Sequence, residues 1–149
     1  MTKEQFEVSL WLNRVYYADK KLSSLIAQEE KLFSIAERVT SNISGNSSGG
    51  TGNGVENSYN ILADLQEDIE KQKKLLVKIY KDVNDMINAV DDEELQTILR
   101  FRYLSFEHMQ AIAIKMNYDK RTVQRKHIKA LEKVVTLCHC MSPLECDNI

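Results

Sequence analysis

The sequence is poor in residues that interrupt helices. Of its 149 residues only Pro143 is a proline, and all five glycines lie between Gly45 and Gly54. The long stretches on either side of this glycine cluster therefore contain nothing that would end a helix. We predict an all-α fold.

Long apolar runs and distributed cysteines are also lacking. No apolar run approaches the ~20 residues that cross a bilayer, and the sequence begins with mixed charges rather than a basic segment followed by an apolar one. The three cysteines all follow residue 137, unlike the disulfide framework of a secreted protein. We expect a cytoplasmic protein without a membrane partner.

The glycines belong to a polar segment, residues 40–58, that is rich in Gly, Ser and Asn. Such a composition predicts a flexible loop. A glycine-rich loop can also hold phosphate, but the preceding buried strand and the Gly-Lys-Ser/Thr ending of a phosphate-binding loop are absent.

Apolar residues recur at spacings of three and four on both sides of this loop, from Val8 to Val39 and from Leu62 to Val90. This heptad pattern predicts a coiled-coil-like antiparallel hairpin of two long helices within residues 1–90. Setting Val39 against Leu62 places the two polar breaks, Glu29 and Gln72, opposite each other. They would form a polar layer that fixes the register; alternatively, both lie in water at the edge of the seam.

A second module is predicted at residues 91–135. Acidic residues from Asp91 to Glu94 suit the start of a helix, and a short two-turn pattern follows at residues 109–116. Asn117 can adopt the left-handed conformation that ends a helix, and Asp119 can cap the next one. The core face of that last helix is predicted to contain Val123, His127, Ala130, Leu131 and Val134. The pattern is a helix, a tight turn and a second helix, and residues 136–149 are expected to form a loose tail.

The last helix, predicted at about residues 120–133, has a basic solvent face although the chain carries a formal net charge of -2. Arginine can bind guanine in the major groove, glutamine can read adenine, and lysine and threonine can hold phosphates. The alternative is a solvated basic surface. The candidate DNA-binding residues are Lys120, Arg121, Thr122, Gln124, Arg125 and Lys129.

The run from Arg100 to Leu131 also resembles the C-terminal region-4 helix-turn-helix of sigma-70-type factors and, more closely, phage and prophage regulators of the ArpU and RinA type. The resemblance includes Arg102-Tyr103-Leu104, Ile112-Ala113, Asn117-Tyr118, Arg121, Val123, Arg125, His127, Ala130 and Leu131. It implies that Asp119, Lys120, Arg121 and Arg125 face promoter DNA. One departure is Lys126, where these families usually have Leu or Ile; His127 would then supply the packing of that turn.

Other arrangements of polar residues are weak as chemical sites. Cys138, His139, Cys140 and Cys146 could ligate zinc, but they lack the paired Cys-x2-Cys spacing of structural zinc sites. No histidine has an acid or nucleophile at a spacing typical of catalysis. We therefore expect no enzyme activity, no metal and no cofactor.

Together these patterns predict a sequence-specific transcription regulator, with late-gene control of a phage or prophage implied by the resemblance. Its expected partners are double-stranded DNA, RNA polymerase and, through the hairpin, a second copy of the chain. One alternative is a phage DNA-packaging or assembly component similar to a small terminase, which would use its long helices to oligomerise. Another is a purely structural coiled-coil adaptor.

Overall fold

The computed structural model describes residues 1–43 and 52–140, and this part of the chain is helical with no strand. The all-α prediction is confirmed. The α-helices are α1 (Lys3–Leu12), α2 (Arg14–Ile43), α3 (Gly52–Asn88), α4 (Glu93–Leu99), α5 (Met109–Lys115) and α6 (Lys120–Cys140). A π-helical turn, Arg100–Leu104, directly follows α4.

The chain forms two compact units. One combines Met1–Tyr17 with the chain from Val77 onward, and the other is Ala18–Leu76. These divisions differ from the boundary predicted at residue 90, because α1 packs against α6 and the end of α3 contacts the residues after α4. For example, Arg100 donates a hydrogen bond of 3.2 Å from Nη1 to Oδ1 of Asn84.

The N-terminal apolar pattern is divided between two helices rather than forming one. α1 begins with a capping box. The backbone amide of Gln5 donates to Oγ1 of Thr2 (3.2 Å), and the backbone amide of Thr2 donates to Oε1 of the Gln5 side chain (2.8 Å). Only Asn13 separates α1 from α2; its φ of -69° is helical, but its ψ of -7° departs from the helical value of about -42°. The seam predicted from Val8 onward is therefore bent at Asn13.

Within the unit Ala18–Leu76, α2 and α3 run antiparallel, and the predicted seam residues Ala18, Ala36, Leu62 and Ile69 are buried. The predicted opposition of Glu29 and Gln72 is wrong. Gln72 is buried and donates from Nε2 to the carbonyl of Ala18 (3.1 Å), whereas Glu29 accepts a hydrogen bond from Gln66 (2.9 Å). In the predicted register Gln66 faces Ile35 and Gln72 faces Glu29, so these two contacts lie six and eleven residues from the predicted partners. A buried amide can be satisfied by a backbone carbonyl as well as by a carboxylate.

Both predicted irregular segments contain more helix than expected. Within the loop predicted at residues 40–58, α2 extends to Ile43 and α3 begins at Gly52; residues 44–51 lie outside the described residues. The predicted tail is helical up to Cys140, and residues 141–149 lie outside the described part. No proline occurs before Pro143, and Leu137 and Cys138 are half-buried, so the last turns of α6 have packing that extends the helix.

In the unit that contains α6, one core cluster lies between α4, α5 and α6. Ile98, Ile112, Ala113 and Val123 form one buried cluster, against which Phe101, Met109 and Met116 pack. Ala113 is almost fully buried, as a small residue must be where a second helix passes close. The core residues predicted on α6 are buried at Val123, Ala130, Leu131 and Val134.

Candidate nucleic-acid interface

A tight four-residue turn joins α5 to α6. Asn117 has a φ of 55°, in the left-handed region as predicted. The amide of Tyr118 donates to the carbonyl of Ala113 (2.9 Å), and the amide of Asn117 donates to that of Ile114 (3.2 Å). This is the hydrogen-bond pattern of a Schellman motif, which ends α5 and directs the chain into α6.

Asp119 caps α6, as predicted. Its Oδ1 accepts from the amide of Thr122 (2.8 Å) and its Oδ2 accepts from the Thr122 hydroxyl (2.6 Å). These two hydrogen bonds lower the pKa of Asp119 below its ordinary value. The Thr122 hydroxyl thus already donates a hydrogen bond to Asp119, and its role as a phosphate ligand stays a prediction.

The inner side of α6 is attached to the π-helical turn by a pair of aromatic rings. The hydroxyl of Tyr103 and Nε2 of His127 are 2.9 Å apart, and the rings stack with centroids 5.7 Å apart. Burial raises the pKa of Tyr103 to about 12. Burial, with a smaller contribution from Arg102, lowers the pKa of His127 to about 4, so the imidazole is neutral at pH 7.

Two lysines of α6 form ion pairs with acidic residues at or just before the start of α4. Lys126 forms an ion pair with Glu94, and its ammonium lies 5.2 Å from the ring centre of Tyr118. Hydrogen bonds from Lys126 and Tyr118 lower the pKa of Glu94. Lys133 pairs with Asp91. Lys126, which stands where the resembled families usually have Leu or Ile, is therefore accommodated by an ion pair with Glu94 rather than by burial in the core.

The remaining exposed side chains of the first four turns of α6 form a surface that we call the outward face. It consists of Lys120, Arg121, Gln124, Arg125, Ile128, Lys129 and Glu132. Within the described residues, none of its four cations forms an ion pair with a carboxylate. Five of the six predicted DNA-binding residues therefore lie together and exposed, and Thr122 is half-buried beside them.

Two members of this surface, Ile128 and Glu132, are not among the predicted DNA-binding residues. Ile128 is 40% exposed, and it was predicted neither on the core face of the helix nor among the DNA-binding residues. Glu132 is exposed at the far end of the face, and its backbone carbonyl accepts a hydrogen bond from Thr136 (3.0 Å). Their spacing from Arg121 and Arg125 along α6 could have identified both, since residues three, four, seven and eleven positions apart share one side of a helix.

Three of the four residues that could ligate zinc, Cys138, His139 and Cys140, lie at the end of α6. Across residues 1–43 and 52–140, no three histidine, cysteine or acidic side chains are grouped as metal ligands. Cys138 and Cys140 lie in the last turn of α6, on roughly opposite sides of the helix at ~100° per residue, and Cys146 lies outside the described residues. The same described ranges contain no helix that is both long and apolar enough to cross a membrane.

Comparison with known proteins places the chain in one family. It belongs to a family described as proteins of unknown function (DUF1492), which matches residues 38–134. The matched range contains α3, α4, α5 and the outward face of α6. No curated protein and no solved structure matches the chain.

Proposed function

We propose that the protein is a sequence-specific DNA-binding regulator of transcription that inserts the outward face of α6 into the major groove. The observation that carries the proposal is the division of the basic residues of α6. Lys126 and Lys133 are paired with acids of the same compact unit, whereas Lys120, Arg121, Arg125 and Lys129 present their charges to solvent. Such a strip of exposed cations can bind the phosphates of a DNA backbone.

The shape of the module also supports DNA as the partner. The major groove is about 12 Å wide and admits one α-helix. The short α5 and the tight turn leave the first turns of α6 exposed on one side, while Val123, His127 and Ala130 fix the other side to the core. Helix-turn-helix proteins present a recognition helix through a tight turn of this kind, which supports the proposed role of α6.

The chemistry of the outward face favours selective over indiscriminate binding. Arg121 and Arg125 can each make two hydrogen bonds to guanine, and Gln124 can do so to adenine. The net charge of -2 makes the rest of the protein unsuited to coating DNA, so the attraction is confined to this face. The resemblance to sigma region 4 and to phage regulators extends the proposal to promoter DNA, to contact with RNA polymerase and to late-gene control.

The proposal is tested by selecting binding sites for the full chain from a random double-stranded DNA library. Affinity for the selected site and for scrambled DNA is then measured at several salt concentrations. We expect a recovered consensus, a selected site bound at least ~10³-fold tighter than scrambled DNA, and affinity that falls steeply with salt. Equal affinity for all sequences, or no binding at low salt, would contradict the proposal. A ring-shaped oligomer bound to one packaging site would favour the DNA-packaging alternative.

A further inference from the structure

Ile128 interrupts the polar character of the outward face. It lies four residues after Gln124 and three after Arg125, directly before Lys129, and 40% of its surface is exposed. Residues at these spacings lie on one side of a helix, so Ile128 is a neighbour of the side chains that suit purines. An apolar side chain cannot form a hydrogen bond with a phosphate or with the edge of a base.

The major groove offers one apolar group to such a side chain, the C5-methyl of thymine. Resting on the DNA-binding role proposed above, we propose that Ile128 packs on a thymine methyl and makes the protein select a thymine. The thymine is expected close to the purine that Gln124 or Arg125 contacts. Four residues of helix advance about 6 Å and base pairs are stacked about 3.4 Å apart, so the two bases lie within about two base pairs.

The neighbouring residues limit where the helix can engage the duplex. Lys129, beside Ile128, is suited to an adjacent phosphate, and Glu132 follows one turn later with a charge that phosphates repel. Base contacts are therefore expected to end at Ile128. The selected thymine would mark the boundary of the site that α6 reads directly.

The test uses the full chain and the site recovered from the random library, with each thymine replaced singly by deoxyuridine. This replacement removes only the methyl group and preserves base pairing. For the unmodified protein we expect one replacement to weaken binding about fourfold, the effect of exposing roughly one methylene-sized group. Ile128→Ala should bind the thymine and deoxyuridine sites equally, with unchanged helicity.

Ile114→Ala is the matched control, because Ile114 is an isoleucine of α5 that is 73% exposed and lies outside the outward face. It should retain the discrimination against deoxyuridine. The inference is overturned if the selected site is bound but no replacement matters, or if Ile128→Ala discriminates as the unmodified protein does. Failure to bind any DNA selectively would instead overturn the DNA-binding proposal, and this inference with it.

Discussion

The hydroxyl of Tyr103 and Nε2 of His127 share a hydrogen bond of 2.9 Å, although the two residues are 24 positions apart in the chain. The bond joins the π-helical turn to the inner side of α6. Because the outward face lies on the opposite side of the same helix, the pair helps to determine which residues of α6 are presented to solvent.

Lowering the pH should destabilise the fold through His127. The pKa of His127 is about 4 in the folded protein because the ring is buried, against 6.5 for an exposed histidine. Between these values the unfolded chain binds a proton that the folded chain does not, so stability is lost as the pH falls from about 6.5 towards 4. The slope should reach at most about 1.4 kcal/mol per pH unit from this group.

Urea denaturation at a series of pH values measures this slope. His127→Gln should remove most of it between about pH 5.5 and 6.5, a window in which the carboxylates, with ordinary pKa values near 4, stay ionised. His108→Gln is the control, since His108 is exposed and its replacement should leave the slope in place. An identical slope in the protein and in His127→Gln would exclude His127 as its source.

Tyr103→Phe should lower the free energy of unfolding by about 1 kcal/mol, the typical net contribution of one intramolecular hydrogen bond. The ring and its stacking against His127 are retained, so the helical content should not change. Chemical denaturation at pH 7 provides the measurement. A variant as stable as the unmodified protein would show that the hydroxyl contributes nothing in the folded state.

Asn117 tests the turn between α5 and α6. Its φ of 55° is accessible to glycine without strain but costs other residues roughly 1–2 kcal/mol. Asn117→Gly should therefore be neutral or slightly stabilising, whereas Asn117→Val should lower the melting temperature clearly. The reverse order in thermal unfolding would be incompatible with a left-handed residue at this position.

The hairpin register can be tested by double-mutant cycles. Because Glu29 accepts a hydrogen bond from Gln66, alanine substitutions at these positions should be coupled by about 0.5 kcal/mol. The pair Glu29 and Gln72 should show no coupling, since Gln72 donates to the carbonyl of Ala18. Coupling between Glu29 and Gln72 alone would restore the register that the heptad pattern first indicated.

Local signals in the sequence predicted the end of α5 and the start of α6, because each of these helix ends depends on an individual residue. Asp119 caps α6 through its own side chain, and Asn117 ends α5 through its own left-handed backbone conformation, both as predicted. At the start of α4, the cap proved to be Asp92, whose carboxylate accepts from the amides of Glu94 and Leu95 (both 3.1 Å). These interactions span only a few residues, so composition and order suffice to identify them.

The hairpin register and the Tyr103–His127 pair were harder to foresee because they depend on contacts distant in sequence. A heptad repeat matches apolar residues almost equally well after a slip of one heptad, so the coincidence of Glu29 and Gln72 was not decisive. The histidine was recognised as a core residue, but its phenolic partner lies in a π-helical turn that no local pattern indicated. Ile128 was assigned to neither side of α6, since apolarity alone does not show which side of a helix is covered.

The central claim is that the solvent-facing cations of α6 bind DNA whereas its ion-paired cations do not. It is tested most directly by comparing two variants that each remove two positive charges from α6, Arg121→Ala/Arg125→Ala and Lys126→Ala/Lys133→Ala. Circular dichroism would first establish that both fold. Affinity for the selected DNA site is then measured by fluorescence anisotropy between about 50 and 200 mM salt, the range in which phosphate contacts dominate the change.

The arginine variant should lose at least about 100-fold in affinity for the selected site, the sum of two modest base contacts. The lysine variant should stay within about threefold of the unmodified protein, since its charges are engaged by Glu94 and Asp91. Equal losses in the two variants would show that only total charge matters, and undiminished binding of the arginine variant would show that the outward face of α6 does not contact DNA.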